Sequence, residues 1–152
     1  ANPLQLAAYF NHPSCIRVLL SAGADADEPD LAGITPLHAA SAAGCARSVT
    51  ALLERKVDTE AELTIRGRHK LTSEDESTSK RALYLAAEKG HAEAVQLLLK
   101  AGADVHALAT HTAAGSSSRT SCVWAAVRGG HGRVAEALRA AGGREVALAD
   151  GS

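Results

Sequence analysis

Two landmarks of this sequence recur at one distance, and that recurrence is the strongest constraint on its fold. Pro3 recurs as Pro36 and the pair Leu19-Leu20 recurs as Leu52-Leu53, each 33 residues further along the chain. Because chance seldom gives two independent landmarks the same offset, the sequence predicts stacked repeats. Each unit buries its apolar side chains only against its neighbours, so the units share one continuous core.

Two further copies of the pattern follow at larger offsets. Ala40 corresponds to Ala86 and then to Ala126, at offsets of 46 and 40 residues. The excess over the first offset locates insertions between repeats, where added loop length costs little conformational entropy. We therefore treat the chain as a single domain with repeats over about 1–28, 29–58, 79–107 and 119–146, and insertions over about 59–80 and 108–118.

Each repeat has the pattern of a turn, a short helix, a tight turn and a longer helix. Thr35 is suited to cap a helix that begins at Pro36, because threonine accepts a backbone N–H and the first turn tolerates proline. Gly102 follows a leucine run, where a helix commonly ends in the left-handed conformation. Lys56 stands at the matching place in the second repeat, so we expect that helix to end differently.

One motif of the repeat is similar to that of a known family. The segments Gly33-x-Thr35-Pro36-Leu37-His38 and Leu97-Leu98-Leu99-x-x-Gly102-Ala103-Asp104, with Gly90-His91, resemble the ankyrin repeat over nearly the whole chain. The resemblance implies an all-α fold, a solenoid of stacked helix-turn-helix units with hairpin-like loops. It also implies a protein-interaction scaffold, because ankyrin-like stacks are known as binding scaffolds. A fold by itself says little about chemistry.

The same resemblance implies where a partner would bind. The family's usual contact surface is its concave face, formed by the hairpin tips and the ends of the first helices. The matching tip positions are Leu31, Ala32 and Ile34. The matching first-helix ends are Tyr9, Phe10, Ala42, Ala43, Glu88, Lys89 and Arg128. For Tyr9 and Phe10 an alternative stays open, namely that they only cover the open end of the stack or meet an upstream repeat.

The charge balance argues against nucleic acid or lipid as a partner. The chain has 16 basic and 17 acidic residues and a formal net charge of -1, whereas nucleic-acid binding needs a basic face. No apolar run reaches the roughly 20 residues that span a bilayer. We therefore expect another protein as the partner, no nucleic acid, no membrane insertion, and a monomeric domain.

Cysteine usage bears on the compartment. Cys15, Cys45 and Cys122 stand at irregular spacing, which does not indicate a disulfide framework. Free thiols fit a reducing environment, so we expect a cytoplasmic or nuclear location. The chain has no methionine, and its first repeat lacks a preceding hairpin turn. We interpret it as a fragment of a longer protein with further repeats upstream.

The first insertion is polar, with alternating blocks of charge. Its composition favours a solvated, mobile loop. The other interpretation is an extended finger that contacts a partner, in which Leu63-Thr64-Ile65 forms one strand of a longer hairpin. Thr72 and Ser73 precede acidic residues and are candidate phosphorylation sites, where a phosphate would pair with Arg66 or Arg68.

The second insertion is expected to be a disordered loop. Its centre, from Ala113 to Ser118, consists of small and polar residues, as flexible linkers do. We expect no fixed secondary structure there.

Catalysis and metal binding find little support in the sequence. No nucleophile elbow, phosphate loop or dinucleotide fingerprint is present, so we expect neither enzyme activity nor a cofactor. His106, His111, Cys122 and His131 have spacings within reach of a zinc site. However, His131 stands at the repeat turn like His91, where a structural hydrogen bond is the simpler role. The alternative function is a regulatory or substrate-recruiting arm of a larger enzyme or channel.

Overall fold

The computed structural model describes residues 2–68, 75–113 and 115–149. Over these residues the chain forms four helix-turn-helix pairs. Their helices are α1 (Pro3–Tyr9), α2 (Pro13–Ser21), α3 (Pro36–Ala43), α4 (Ala46–Leu53), α5 (Ala82–Lys89), α6 (Ala92–Lys100), α7 (Cys122–Arg128) and α8 (Gly132–Ala140). The predicted solenoid of helix-turn-helix units is confirmed.

The helices stack in two parallel rows. The first helices α1, α3, α5 and α7 contact one another in sequence, and the second helices α2, α4, α6 and α8 do the same. Between the rows, Leu52, Leu98 and Leu138 occupy one repeat position and are fully buried. Ala40 and Ala86 are also fully buried, and their small side chains allow the first helices to approach closely.

Local sequence explains where the helices begin and end. The Thr35 side chain accepts the backbone N–H of His38, which caps α3 before Pro36. Gly44 ends α3 at φ 71°, and Asn11, a residue that tolerates the left-handed region, ends the first helix of repeat 1 at φ 59°. The expectation at Lys56 is also confirmed, because Lys56 lacks the positive φ that Gly23 and Gly102 have at the same repeat position.

Both insertions form strands of one antiparallel sheet. The strands are β1 (Leu63–Arg68), β2 (Asp75–Lys80), β3 (Leu108–Ala113), β4 (Ser116–Ser121) and β5 (Ala147–Ala149). They lie in the order β1-β2-β3-β4-β5. The two insertions meet where β2 pairs with β3, with Thr78 opposite His111. The hairpins therefore build a wall beside the stack.

This sheet corrects three expectations. The fold is not purely all-α, and the second insertion is not a disordered loop, since β3 pairs with β4 from Leu108↔Ser121 to Ala113↔Ser116. In the first insertion the described residues form the extended hairpin and not the mobile loop that the composition favours. Composition misled here because serine and threonine strands bury little apolar surface. Their backbone groups are instead satisfied by neighbouring strands. Thr72 and Ser73 lie outside the described residues.

Candidate partner-binding surface

One repeat position ties each first helix to the loop of the following repeat. The Gln5 side-chain amide donates to a carbonyl at the tip of the second repeat. His38 Nε2 donates to the Ala61 carbonyl at 2.8 Å, and the Tyr84 hydroxyl lies 2.8 Å from Oγ1 of Thr120 in β4. Three different side chains thus perform one task, which is to fix the hairpins against the helices.

The protonation state of His38 follows from its surroundings. The side chain is only 2% exposed, and the backbone N–H of Thr35 donates to its Nδ1 at 3.2 Å. Since Nε2 already donates to the Ala61 carbonyl, both ring nitrogens are satisfied in the neutral form. Burial lowers the pKa of His38 below its ordinary value, because the charged form would lose its hydration.

A second repeat position joins the turns of neighbouring repeats. His91 Nε2 donates to the Ala42 carbonyl at 3.1 Å, and His131 Nε2 donates to the Glu88 carbonyl at 3.2 Å. The Cys45 thiol takes the same place, 3.2 Å from the carbonyl of the preceding helix end. The structural role expected for His131 is confirmed. Within the described ranges, no three His, Cys, Asp or Glu side chains are grouped to hold a metal.

The ends of the first helices carry a different chemistry in each repeat. Tyr9, Ala42, Glu88 and Arg128 occupy one repeat position, in an aromatic, a small, an acidic and a basic version. Glu88 is engaged by Lys80 of β2, whose Nζ lies 2.8 Å from both carboxylate oxygens. These residues keep the positions that the family pattern implied, but Glu88 also fastens the hairpin to α5.

The neighbouring basic residues differ in how they are held. Lys89 is exposed at the end of α5. Arg128 is also exposed and lies over the Trp124 ring, 5.4 Å from its centroid. That stacking limits the freedom of the guanidinium, which lowers the entropic cost of using it in a contact. Sequence reasoning did not single out Trp124 or Lys80 as members of this surface.

The aromatic pair lies at the end of the stack. The Tyr9 and Phe10 rings meet edge to face, with centroids 5.2 Å apart. Phe10 also lines an apolar groove with Leu6 and Val18, which are all about half exposed or more. The position of Val18, 68% exposed, is filled in the next repeat by Ala51, which is 1% exposed. A repeat surface that is covered between neighbours is therefore uncovered here.

The tip positions form a separate groove. Leu31 is fully exposed, and Ile65 of β1 is half exposed. Residues 31–34 and 63–66 together line an open groove of about 640 Å³. The sequence did not indicate that Ile65 and Arg66 lie in this groove, although Ile65 belongs to the predicted strand Leu63-Thr64-Ile65. Their place beside residues 31–34 follows only from the tertiary structure.

A polar network holds the bases of the two hairpins together. Arg81 Nη1 lies 2.6 Å from one oxygen of Glu60, and its Nη2 lies 3.3 Å from Glu62. The other Glu60 oxygen accepts the backbone N–H of Asp104 at 2.8 Å. Glu60 therefore joins the first hairpin to the loop before the second, so the wall is anchored at its base.

The three thiols differ in exposure. All are free, with Cys15 exposed, Cys45 intermediate and Cys122 buried. Burial raises the pKa of Cys122 to about 12 and also raises the pKa of Cys45, because the thiolate loses its hydration. A thiol in this state is a poor nucleophile, so neither cysteine has the environment of an activated catalytic group.

The predicted binding residues thus fall in three places. Tyr9 and Phe10 lie at the end of the stack, the tip residues lie in the groove beside β1, and the remaining five lie along the first helices. A rigid stack with a constant core and a varied exposed edge defines a helical-repeat scaffold.

The family follows from comparison with known proteins. Residues 1–63 match the family model described as ankyrin repeats in three copies, and residues 81–110 match the model of a single ankyrin repeat. The chain belongs to the ankyrin-repeat family. In the part of the chain that the structure describes, no helix is long and apolar enough to cross a membrane.

Three relatives show how the similarity is distributed. Human neurogenic locus notch homolog protein 4 is 43% identical over 67% of this chain, which spans 4% of that protein. Human NF-kappa-B inhibitor alpha is 35% identical over 69% of this chain, which spans 31% of that protein. The mouse B-cell lymphoma 3 protein homolog is 34% identical over 70% of this chain, which spans 22% of that protein. The chain thus spans less than a third of each relative.

Proposed function

We propose that this chain is a protein-interaction module, rather than an enzyme, and that it binds its partner on the concave face of the stack. The contact surface would consist of the first-helix ends and the hairpin tips. The observation that carries this proposal is the repeat position of Tyr9, Ala42, Glu88 and Arg128. Its chemistry changes in every repeat while the buried positions beside it stay small or aliphatic.

The proposed contact surface is preorganised for binding. The core and the turn hydrogen bonds fix the helix ends before any partner arrives, so few backbone torsions are ordered on binding. Arg128 is already stacked on Trp124 and Glu88 is already paired with Lys80. Aromatic and arginine side chains often dominate interface energies, and this surface offers Tyr9 and Arg128.

The relatives are consistent with this role. The name of NF-kappa-B inhibitor alpha states that it inhibits NF-kappa-B. By analogy we assign this chain the general task of binding a protein and leave the partner's identity to experiment. The free cysteines fit a reducing compartment, so we also propose a cytoplasmic or nuclear location and a monomeric domain.

The test is partner capture followed by a charge reversal on the proposed face. The purified chain is used as bait, captured proteins are identified by mass spectrometry, and each candidate is titrated by calorimetry. We expect Lys89→Glu combined with Arg128→Glu to lower the affinity for a true partner by about tenfold or more. Lys100→Glu, on the second-helix row, is the matched control. Equal affinity for all three proteins would remove the concave-face assignment.

A second candidate function rests on the coverage of the relatives. The chain spans only 4% of the notch homolog, so a module of this kind also occurs inside a far larger protein. By analogy, this chain would serve as a regulatory or substrate-recruiting arm of a larger enzyme or channel. The full-length coding sequence distinguishes the two, because a catalytic or membrane-spanning domain beside the repeats would favour this arm.

A further inference from the structure

The sheet has an uncovered edge beside the second repeat. Within the described residues, β1 pairs only with β2, and the strand order places it at the margin. The tip of the second repeat lies near the start of β1, where a Cβ placed on Gly33 would be 4.0 Å from Leu63 Cδ1. Residues 64–66 continue along the same open groove as the tip. An edge strand presents unpaired N–H and C=O groups that can pair with another chain.

Two of the usual protections are missing from this edge. Natural edge strands are often very short or carry proline, whereas β1 has six residues and no proline. Residues 63–66 alternate between apolar and polar types, so Leu63 and Ile65 lie on one face of the strand. Ile65 is half exposed next to the fully exposed Leu31. An added strand would therefore find both free backbone groups and apolar surface to cover.

The charges around the groove favour an acidic ligand. Arg66 is exposed, and β1 contains two arginines and no acidic residue. Two nearby carboxylates are already engaged, since Glu62 contacts Arg81 and Ser79. Likewise, Asp30 accepts the backbone N–H groups of residues 32 and 34 at 2.9 Å. Among the described residues that line the groove, Arg66 is the only charged one, so the groove offers a positive charge.

The sheet already grows by sideways addition of separate segments. β2 of the first insertion pairs with β3 of the second, and β5 from the end of the chain pairs with β4. These contacts join segments that are remote in sequence. A further strand at β1 would continue the same interface.

We propose that β1 binds an extended acidic segment of the partner protein as an added strand. An apolar residue of that segment lies opposite Ile65 and an acidic residue lies opposite Arg66. The inference rests on the proposed protein-binding function and deepens it by assigning the chemical class of the partner segment. A second copy of this chain fits less well, because its β1 would add two more arginines and no acid.

The direct test uses a synthetic peptide as the probe. A fluorescein-labelled peptide of alternating glutamate and valine, seven residues long, is titrated with the intact chain by fluorescence anisotropy. We expect saturable binding below about 1 mM, the range of a weak interaction. Hydrogen exchange at residues 63–68 should slow when the peptide binds. Because successive N–H groups of a strand point to opposite edges, one peptide is N-methylated at the valines and a second at the glutamates, which keeps the charge of both. The peptide that has lost the donors facing β1 should bind at least about tenfold more weakly.

Protein variants test the assigned contacts. Arg66→Glu and Ile65→Thr should each lower the affinity for the peptide, the first by about tenfold or more. Arg119 is exposed on β4 of the same sheet. Arg119→Glu makes the same charge change there and should leave the affinity for the peptide within about twofold of the unmodified chain. Three results would overturn the inference: no saturable binding, undiminished binding of both N-methylated peptides, or self-association of the chain through β1 at the same concentrations.

The outcome also separates this inference from the proposed function. A captured partner that responds to Lys89→Glu with Arg128→Glu but binds the Arg66→Glu protein normally would sink the edge inference and leave the concave-face function standing. A partner segment that slows hydrogen exchange in β1 but binds the Lys89→Glu with Arg128→Glu protein normally would support the edge inference and remove the concave-face assignment.

Discussion

The helical stack and the sheet beside it are stabilised in different ways. The stack repeats one solution four times, with buried Leu52, Leu98 and Leu138 in a single column. The sheet is built from two dissimilar insertions that are rich in serine and threonine, and among its described residues the buried apolar ones are Leu63 and Ala109, each 5% exposed. Stability therefore resides in the stack, whereas the sheet supplies shape and a pairing edge.

The largest expected effect comes from a cavity in the stack. Leu98 is fully buried between neighbouring repeats, so Leu98→Ala should lower the free energy of unfolding by about 2–5 kcal/mol. The control is Leu31→Ala on the fully exposed tip, which should change it by less than about 0.5 kcal/mol. Urea denaturation followed by circular dichroism measures both. Similar losses in the two variants would break the comparison.

The next largest effect is expected where the helix-helix turns of two neighbouring repeats touch. A Cβ at Gly44, where φ is 71°, would lie 2.4 Å from the His91 ring, whereas Gly23, at φ 95°, has open space around it. Both alanine variants suffer left-handed strain of about 1–2 kcal/mol. The free energy of unfolding of Gly44→Ala should fall by about 1 kcal/mol more than that of Gly23→Ala, because His91 must give up its hydrogen bond to the Ala42 carbonyl. Thermal unfolding of the pair checks this, and equal melting temperatures would contradict it.

The link between stack and hairpin should respond to pH through His38. Its pKa is lowered in the folded state, mainly by burial, from an ordinary value of 6.5. The unfolded chain therefore binds more protons just below that pH, so this stability is fully present above about 6.5 and is lost as pH falls. In His38→Gln the free energy of unfolding should vary less between about pH 7.5 and 5.5. An unchanged pH profile would show that His38 is not the titrating group.

The smallest effect concerns one hydroxyl. Tyr84 bonds Thr120 of β4 at 2.8 Å, so Tyr84→Phe should cost about 0.5–1.5 kcal/mol. Tyr9→Phe, at an exposed tyrosine, should be nearly neutral. Chemical denaturation detects the difference, and faster hydrogen exchange in β4 of the first variant would locate it. Equal stability would mean that the hydroxyl does not hold the sheet to the stack.

Sequence reasoning reached the helices because their signals are local. Thr35 and Pro36 indicate a helix start, Gly102 indicates a helix end, and the leucine columns indicate the buried face. The role of His131 was also predicted correctly from its repeat position. The residues predicted to bind a partner stay predictions, since the structure gives their exposure and neighbours but no ligand.

The strands were harder to predict because their stabilisation is not local. Residues 116–121 read Ser-Ser-Ser-Arg-Thr-Ser, which is the composition of a linker. They form β4 because β3 lies on one side and β5 on the other, so backbone groups are paired across both. The groove at Ile65 and Arg66 could not be predicted either, because it depends on where β1 lies relative to the tip of another repeat.

By itself the sequence determined the repeat, the helix boundaries and the buried columns, since each depends on residues within one turn or one repeat of each other. Only the tertiary structure decided that two polar insertions join into one sheet, that Glu88 is held by Lys80, and that β1 is left at an open edge. Strand pairing joins residues that are far apart along the chain. Its energy lies in backbone hydrogen bonds that every residue type except proline can make, so side-chain identity alone does not specify it.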